Sequence, residues 1–126
     1  MANYRIISSD NHIYEPPDLW ISRIEPKFRE KAPHIVHEED GGDWWFCDGR
    51  KLPGVGSGTQ TGRRFDDPEK LTVLNLFEDV RPGGYIPEEH VKDMDTDGVD
   101  VSILYPNVGI QLFQVTDSEL LTAMFR

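Results

Sequence analysis

Two short apolar runs limit what this chain can fold into. One lies at residues 4–8, around Ile6 and Ile7, and the other at residues 99–105, rich in Val, Ile and Leu. Both have the length and β-favouring content of buried strands. Each is closed by turn-forming residues, Ser9-Asp10-Asn11-His12 after the first and Pro106-Asn107 after the second. The first run therefore reads as a strand feeding a polar loop, and most of the chain lies between the two.

The intervening sequence punctuates itself. Pro17 opens a short amphipathic helix carrying Leu19, Trp20, Ile21 and Ile24, which ends near Glu25 because Pro26 follows. Residues 34–38 look like a strand, and Asp40-Gly41-Gly42-Asp43 turns the chain into Trp44-Trp45-Phe46-Cys47. A second turn at Asp48-Gly49 leads to Arg50-Lys51-Leu52, so a three-stranded meander is expected, with alternation sending one of the two tryptophans inward. Residues 53–67 scatter Gly54, Gly56, Gly58 and Gly62 among polar side chains, the composition of a mobile loop. Residues 87–97 read as a helix, with Pro87, Glu88 and Glu89 in its first turn, Val91 and Met94 on one face, and Gly98 to stop it. A last helix opens at Asp117 or Ser118 and runs to Arg126 without a closing cap.

Charge and cysteine content narrow the function. The 23 acidic and 13 basic side chains give a formal charge of −10, which argues against nucleic acid, since phosphate binding needs clustered Lys and Arg. The basic pairs, Arg50-Lys51 and Arg63-Arg64, are too short to be an electrostatic footprint and read as solvated loops. Cys47 is the single cysteine, so no intrachain disulfide can form, and a cytoplasmic location is expected. The apolar stretches are a few residues long, so neither a secretory signal at residues 1–10 nor a membrane span is expected.

Asp10-Asn11-His12 carries the clearest chemical signal. Side chains two apart in an extended chain point to one face, so a carboxylate and an imidazole are aimed together. Such a pair can supply two ligands to a divalent metal, or a base and its orienting group, with Glu15 as a third polar member nearby. Taken alone, the same residues also fit an Asp that caps a turn and a hydrogen-bonded structural His. Gly54-Val55-Gly56-Ser57-Gly58 lacks the strand, helix and Lys-Ser/Thr pair of a phosphate loop, and reads better as a loop over the pocket. His34, His37 and His90 lack mutual ligand spacing, and Cys47, after three aromatics, reads as a small buried hydrophobe.

The run Ser9-Asp10-Asn11-His12-Ile13-Tyr14-Glu15-Pro16-Pro17-Asp18-Leu19-Trp20 closely resembles the N-terminal signature of the amidohydrolase-related family 2 enzymes, with D-x-H, then Glu-Pro, then Leu-Trp. Asp93-Met94-Asp95-Thr96-Asp97-Gly98-Val99-Asp100-Val101, followed by Leu104-Tyr105-Pro106, looks like that family's helix leading into its second barrel strand. The Gly41-Gly42-Asp43-Trp44-Trp45 hairpin is similar to the family's insertion between those strands.

The resemblance implies an α/β fold, the N-terminal portion of a distorted TIM (β/α)₈ barrel. Residues 33–67 would be an inserted hairpin and Gly-rich loop between barrel strands one and two. A barrel of this kind takes roughly 200 residues or more, so six strands, the remaining ligands and the general acid/base are expected beyond residue 126. The implied activity is hydrolysis or non-oxidative decarboxylation of a small, often aromatic, carboxylic acid with one divalent metal ion, Zn or Mn. By that likeness Asp10 and His12 are metal ligands, in the positions of an H-x-H pair whose first His is here Asp10. Some decarboxylases of the superfamily have an acidic residue there. Glu15, Tyr105 and Asn107 are expected to bind substrate, Tyr105 and Asn107 from the end of the second strand, in the same pocket as Asp10 and His12. The expected partner is that small molecule, with room for a homo-oligomer at full length and with neither nucleic acid nor membrane. A second reading is a non-catalytic interaction module that presents an acidic surface and an aromatic hairpin to another protein.

Overall fold

The turn residues and the apolar runs are translated into structure in chain order. The computed structural model of the chain describes residues 4–60, 68 and 71–126. Strand β1 (Ile7–Ile13) is followed by helix α1 (Leu19–Arg23), strands β2 (His34–His37), β3 (Asp43–Cys47) and β4 (Arg50–Gly54), helix α2 (Pro87–Asp97), strand β5 (Val101–Pro106) and helix α3 (Ser118–Met124). Short 3₁₀ turns connect them, among them Pro26–Phe28, Val55–Gly58, Pro82–Gly84 and Gly109–Gln114.

β1 and β5 pair in parallel, with Ile7 beside Val101 and His12 beside Tyr105. The ladder is extended by the Ile6 amide donating to Asp100 Oδ2 at 2.8 Å and by Asp100 and Val101 amides donating to Ile6 O. Ser8 pairs with Ser102 and Asn11 with Leu104, so Ser9 and Asp10 together oppose Ile103 as a bulge. The strand consequently runs through Asp10-Asn11-His12, where the sequence suggests a loop. The partner strand supplies backbone hydrogen bonds there, and the Asn11 side-chain amide donates to Ser102 Oγ.

The meander forms as its turns dictate, antiparallel in the order β2-β3-β4. Asp48 and Gly49 both take positive φ, 49° and 71°, the conformation of a two-residue hairpin turn whose twist matches its strands. Trp45 is the tryptophan that turns inward, 1% exposed, while Trp44 lies outside with the Lys51 ammonium 3.7 Å from its ring centroid. The following segment is anchored, against the mobile loop that its glycines suggest, because Val55 and Thr59 are buried. Gly62, Arg63 and Arg64, and the rest of that loop to Asp67, lie outside the described residues.

The core does not sit on the parallel strands. It gathers Trp20, Ile24 and Phe28 from the α1 region, Trp45 and Cys47 from β3, Val55, and Val108, Leu112, Leu120 and Met124 from the chain after β5. Trp20 stands edge-on to Trp45, and its Nε1 donates to the Met124 carbonyl at 3.2 Å, which ties α1 to α3. β1 and β5, expected to be buried, leave Ile7, Val101, Ile103 and Leu104 between 43% and 61% exposed. Strand burial needs covering layers on both faces, and the described residues supply little of either.

α2 begins at Pro87 and ends against Gly98, whose φ of 70° is the left-handed cap conformation. Asp117 caps α3, accepting from the Glu119 and Leu120 amides at 3.1 Å, and the helix stops at Met124, short of Arg126. The Leu120 amide bond, helped by Lys31, holds the Asp117 carboxyl below the usual carboxylate range. Among the described residues no helix is long and apolar enough to cross a membrane.

Candidate functional site

Asp10, the second residue of the β1 bulge, shares a side of the strand with His12, and register with β5 adds Tyr105. His12 Nε2 lies 3.5 Å from Asp10 Oδ1, and the Tyr105 ring centroid lies 6.0 Å from that of His12, tilted by 38°. These three form a cluster at the carboxyl end of two parallel strands. The His12 and Asp10 side chains are 46% and 78% exposed, so both donors face open space and not the core.

Glu15 is used differently. It is 4% exposed, and its oxygens accept from the backbone amides of Val108 at 3.0 Å and Gly109 at 2.7 Å. A Cβ at Gly109 would lie 2.9 Å from Pro106 Cβ and 3.2 Å from Glu15 Oε1, so glycine allows this approach. Glu15 thus clips the segment after β5 against the start of α1. Asn107 lies elsewhere again. It lines a cavity of about 240 Å³ with Trp45, Leu52, Pro53, Gly54, Val108 and Gln111, separate from the one His12 borders.

That other cavity, about 440 Å³, adds Arg81, which sequence reasoning passed over, together with Asn11, His90 and Asp93, which it had not placed in a pocket. Arg81 Nε donates to Asp93 Oδ2 at 2.9 Å, and the guanidinium holds the Asp93 carboxyl below its ordinary range. His90 Nδ1 is 3.0 Å from Gly83 O and its Nε2 3.4 Å from Ser102 Oγ. No local spacing announces their meeting, because Arg81, His90 and Asp93 come together only when α2 packs against the Pro82–Gly84 turn. His34 and His37 have local partners, Ala32 O at 2.8 Å and Asp43 Oδ1 at 3.0 Å, which suits the ordinary packing and surface roles expected of them.

A carboxylate and an imidazole side by side have the right chemistry for Zn or Mn, but among the described residues no group of three or more His, Cys, Asp or Glu gathers to hold an ion. Asp10 and His12 offer two donors of suitable chemistry, which among the described residues is short of a complete ligand set.

No protein-family model matches the chain. No curated protein matches it either. Among solved structures, the chain is similar to an amidohydrolase from Mycobacterium avium subsp. paratuberculosis K-10, with a TM-score of 0.68 and 22% sequence identity. The match covers 98% of this chain and 36% of that one, so the chain spans little more than a third of the protein it overlays. What the likeness establishes is architecture: nearly the whole of this chain is folded as one part of an amidohydrolase chain is folded.

Proposed function

We propose that this chain contributes to a metal-dependent hydrolase or non-oxidative decarboxylase of the amidohydrolase-related family 2, acting on a small, often aromatic, carboxylic substrate. The observation that carries the reading is the Asp10–His12 pair at the carboxyl end of β1, 3.5 Å apart and facing away from the core. Parallel strands of barrel enzymes present their chemistry at that end, and the fold shared with a solved amidohydrolase is the background against which the pair gains meaning. A divalent ion bound there would act as a Lewis acid on a substrate oxygen. The chain's own part is to present the Asp10 carboxylate and the His12 imidazole as ligands and to flank them with the Tyr105 ring. Glu15 fixes the segment that follows Tyr105 and Pro106. A complete barrel of this kind would need six further strands, further ligands and an acid/base group besides those of these residues, and a cytoplasmic setting and self-assembly of the full-length protein go with the proposal.

Metal content per chain, measured in the full-length protein and three variants, tests it. His12→Ala should lose the ion, because alanine offers no donor. Asp10→Asn keeps a weak oxygen donor and should bind the ion less tightly. Glu15→Gln should keep it, since both Glu15 oxygens already serve backbone amides. Full occupancy in His12→Ala would remove the basis of the assignment.

A further inference from the structure

Asn11 stands in sequence between Asp10 and His12 and faces the other way. Ser8 lies opposite Ser102 in the register of the parallel pair, and His12 opposite Tyr105. Side chains alternate along a strand, so an unbroken β1 would carry Ser8, Asp10 and His12 on the side of Ser102, the side from which His90 of α2 reaches that serine. The extra residue at Ser9 and Asp10 inverts this. Asn11 meets Ser102, its side-chain amide donating to Ser102 Oγ, while Asp10 and His12 turn with Tyr105 to the opposite side. A one-residue slip exchanges the two faces of a strand, and the regular register would recover the ladder bonds that a bulge gives up. Whatever holds the bulge therefore decides which face presents the pair.

A chain of hydrogen bonds through α2 and the Pro82–Gly84 turn supplies that hold. Gly83 O can only accept, so His90 Nδ1, 3.0 Å away, carries a proton, and in the neutral ring Nε2 is left as an acceptor. Ser102 Oγ, 3.4 Å from that Nε2, donates to it while accepting from Asn11. The polarity runs one way, from Asn11 through Ser102 and His90 to Gly83. The next residue of the turn closes the circuit, because Gly84 O accepts from the Tyr14 amide at 2.7 Å. His12 is thus bracketed by Asn11 and Tyr14, both tied to one turn, and Arg81, which precedes that turn, is itself fastened to Asp93 of α2.

We propose that Asn11, Ser102 and His90 are positioning residues, a strut that fixes the register of β1 and so keeps Asp10 and His12 together on the face of Tyr105. They act through the bulge and not as donors to an ion. The strut's bearing on metal affinity rests on the proposed function; its hold on the register does not.

The test follows the His12 and Tyr105 rings by NMR in the full-length protein, labelled at histidine and tyrosine, beside a titration with Co(II) as the metal probe. The ring centroids lie 6.0 Å apart, so the parent should show a cross-relaxation peak between them, assigned by its disappearance in Tyr105→Phe. Asn11→Ala and Ser102→Ala should each lose that peak and bind Co(II) about 10–100-fold more weakly, the effect of removing groups that orient a metal's ligands. Ser102→Thr, which keeps the hydroxyl, should restore both. Gly98→Ala, at the far end of α2 from His90, controls for lost stability alone and should keep the peak and the parent affinity. Absence of the peak from the parent or from Ser102→Thr, its persistence in either alanine variant, or its loss in Gly98→Ala would overturn the inference. Should one alanine variant fail to fold, the other decides. A parent that takes up no Co(II) would count against the proposed function, and the ring contact would then decide the strut by itself.

Discussion

Glu15 illustrates how a residue that neighbours a candidate site in sequence can have its oxygens engaged by a distant segment in space. Nothing local announces that its carboxylate will meet the amides of Val108 and Gly109, more than ninety positions away, so its neighbourhood to Asp10 and His12 dominates any reading of the sequence. Glu15→Leu would strand two buried amides at ~1–3 kcal/mol each, and should lower unfolding free energy in urea by about 2–6 kcal/mol; Glu15→Gln, which keeps one acceptor oxygen, should cost less. Cys47 makes a second prediction at this scale. Burial, with the charge of Asp48 adding to it, pushes the thiol up to about 11 from an ordinary 9.0. Above pH 9.0 the unfolded chain therefore releases a proton that the folded chain keeps, so the thiol's contribution destabilises the fold as pH rises from 9.0 to about 11. Melting temperatures across that window should fall less steeply in Cys47→Ala than in the parent. Asp10 and His12 were legible as a pair because two-residue spacing on a strand is a local rule, whereas Asn107's cavity depends on where the meander packs.

Elements bounded by local chemistry were readable to the residue. α2 starts at Pro87 because a missing N–H costs nothing in a first turn, and stops at Gly98 because only glycine takes the left-handed cap without strain. Gly98→Ala has open space for its Cβ but the wrong φ, so it should destabilise by about 1 kcal/mol, read as a shift in urea midpoint at unchanged slope. The meander was equally plain from its Asp-Gly turns. Elements whose limits are set by a distant partner were not. β1 extends to Ile13 only because β5 lies alongside to pair with it, and the glycine-rich segment after β4 is held because Val55 finds a place in a core assembled from the far end of the chain. Composition describes the segment; the partner decides its state.

At the scale of the molecule, one side is finished and the other is not. The core closes around Trp45, Leu112 and Leu120, each no more than 1% exposed. The parallel pair leaves Ile6, Ile7, Val101, Ile103 and Leu104 between 43% and 61% exposed, and an apolar groove lined by Ile13, Val91, Met94 and Leu104 runs between α2 and β5. Unpaired strand edges with apolar faces invite association. The 126-residue chain on its own should therefore sediment as oligomers at micromolar concentration, and a monodisperse monomer that melts cooperatively would contradict this. The pairing of β1 with β5 also bears on how the chain is made. Ile6 and Asp100, which hydrogen-bond across the start of that sheet, are 94 positions apart. At ribosomal speeds of about 5–20 residues per second, that separation is roughly 5–20 s of synthesis. During this interval the meander can close on its own turns, while the first strand, already carrying Asp10 and His12, waits outside the tunnel for a mate. The segment that ends in the Asp10–His12 pair is thus the one that stays longest without its pairing strand.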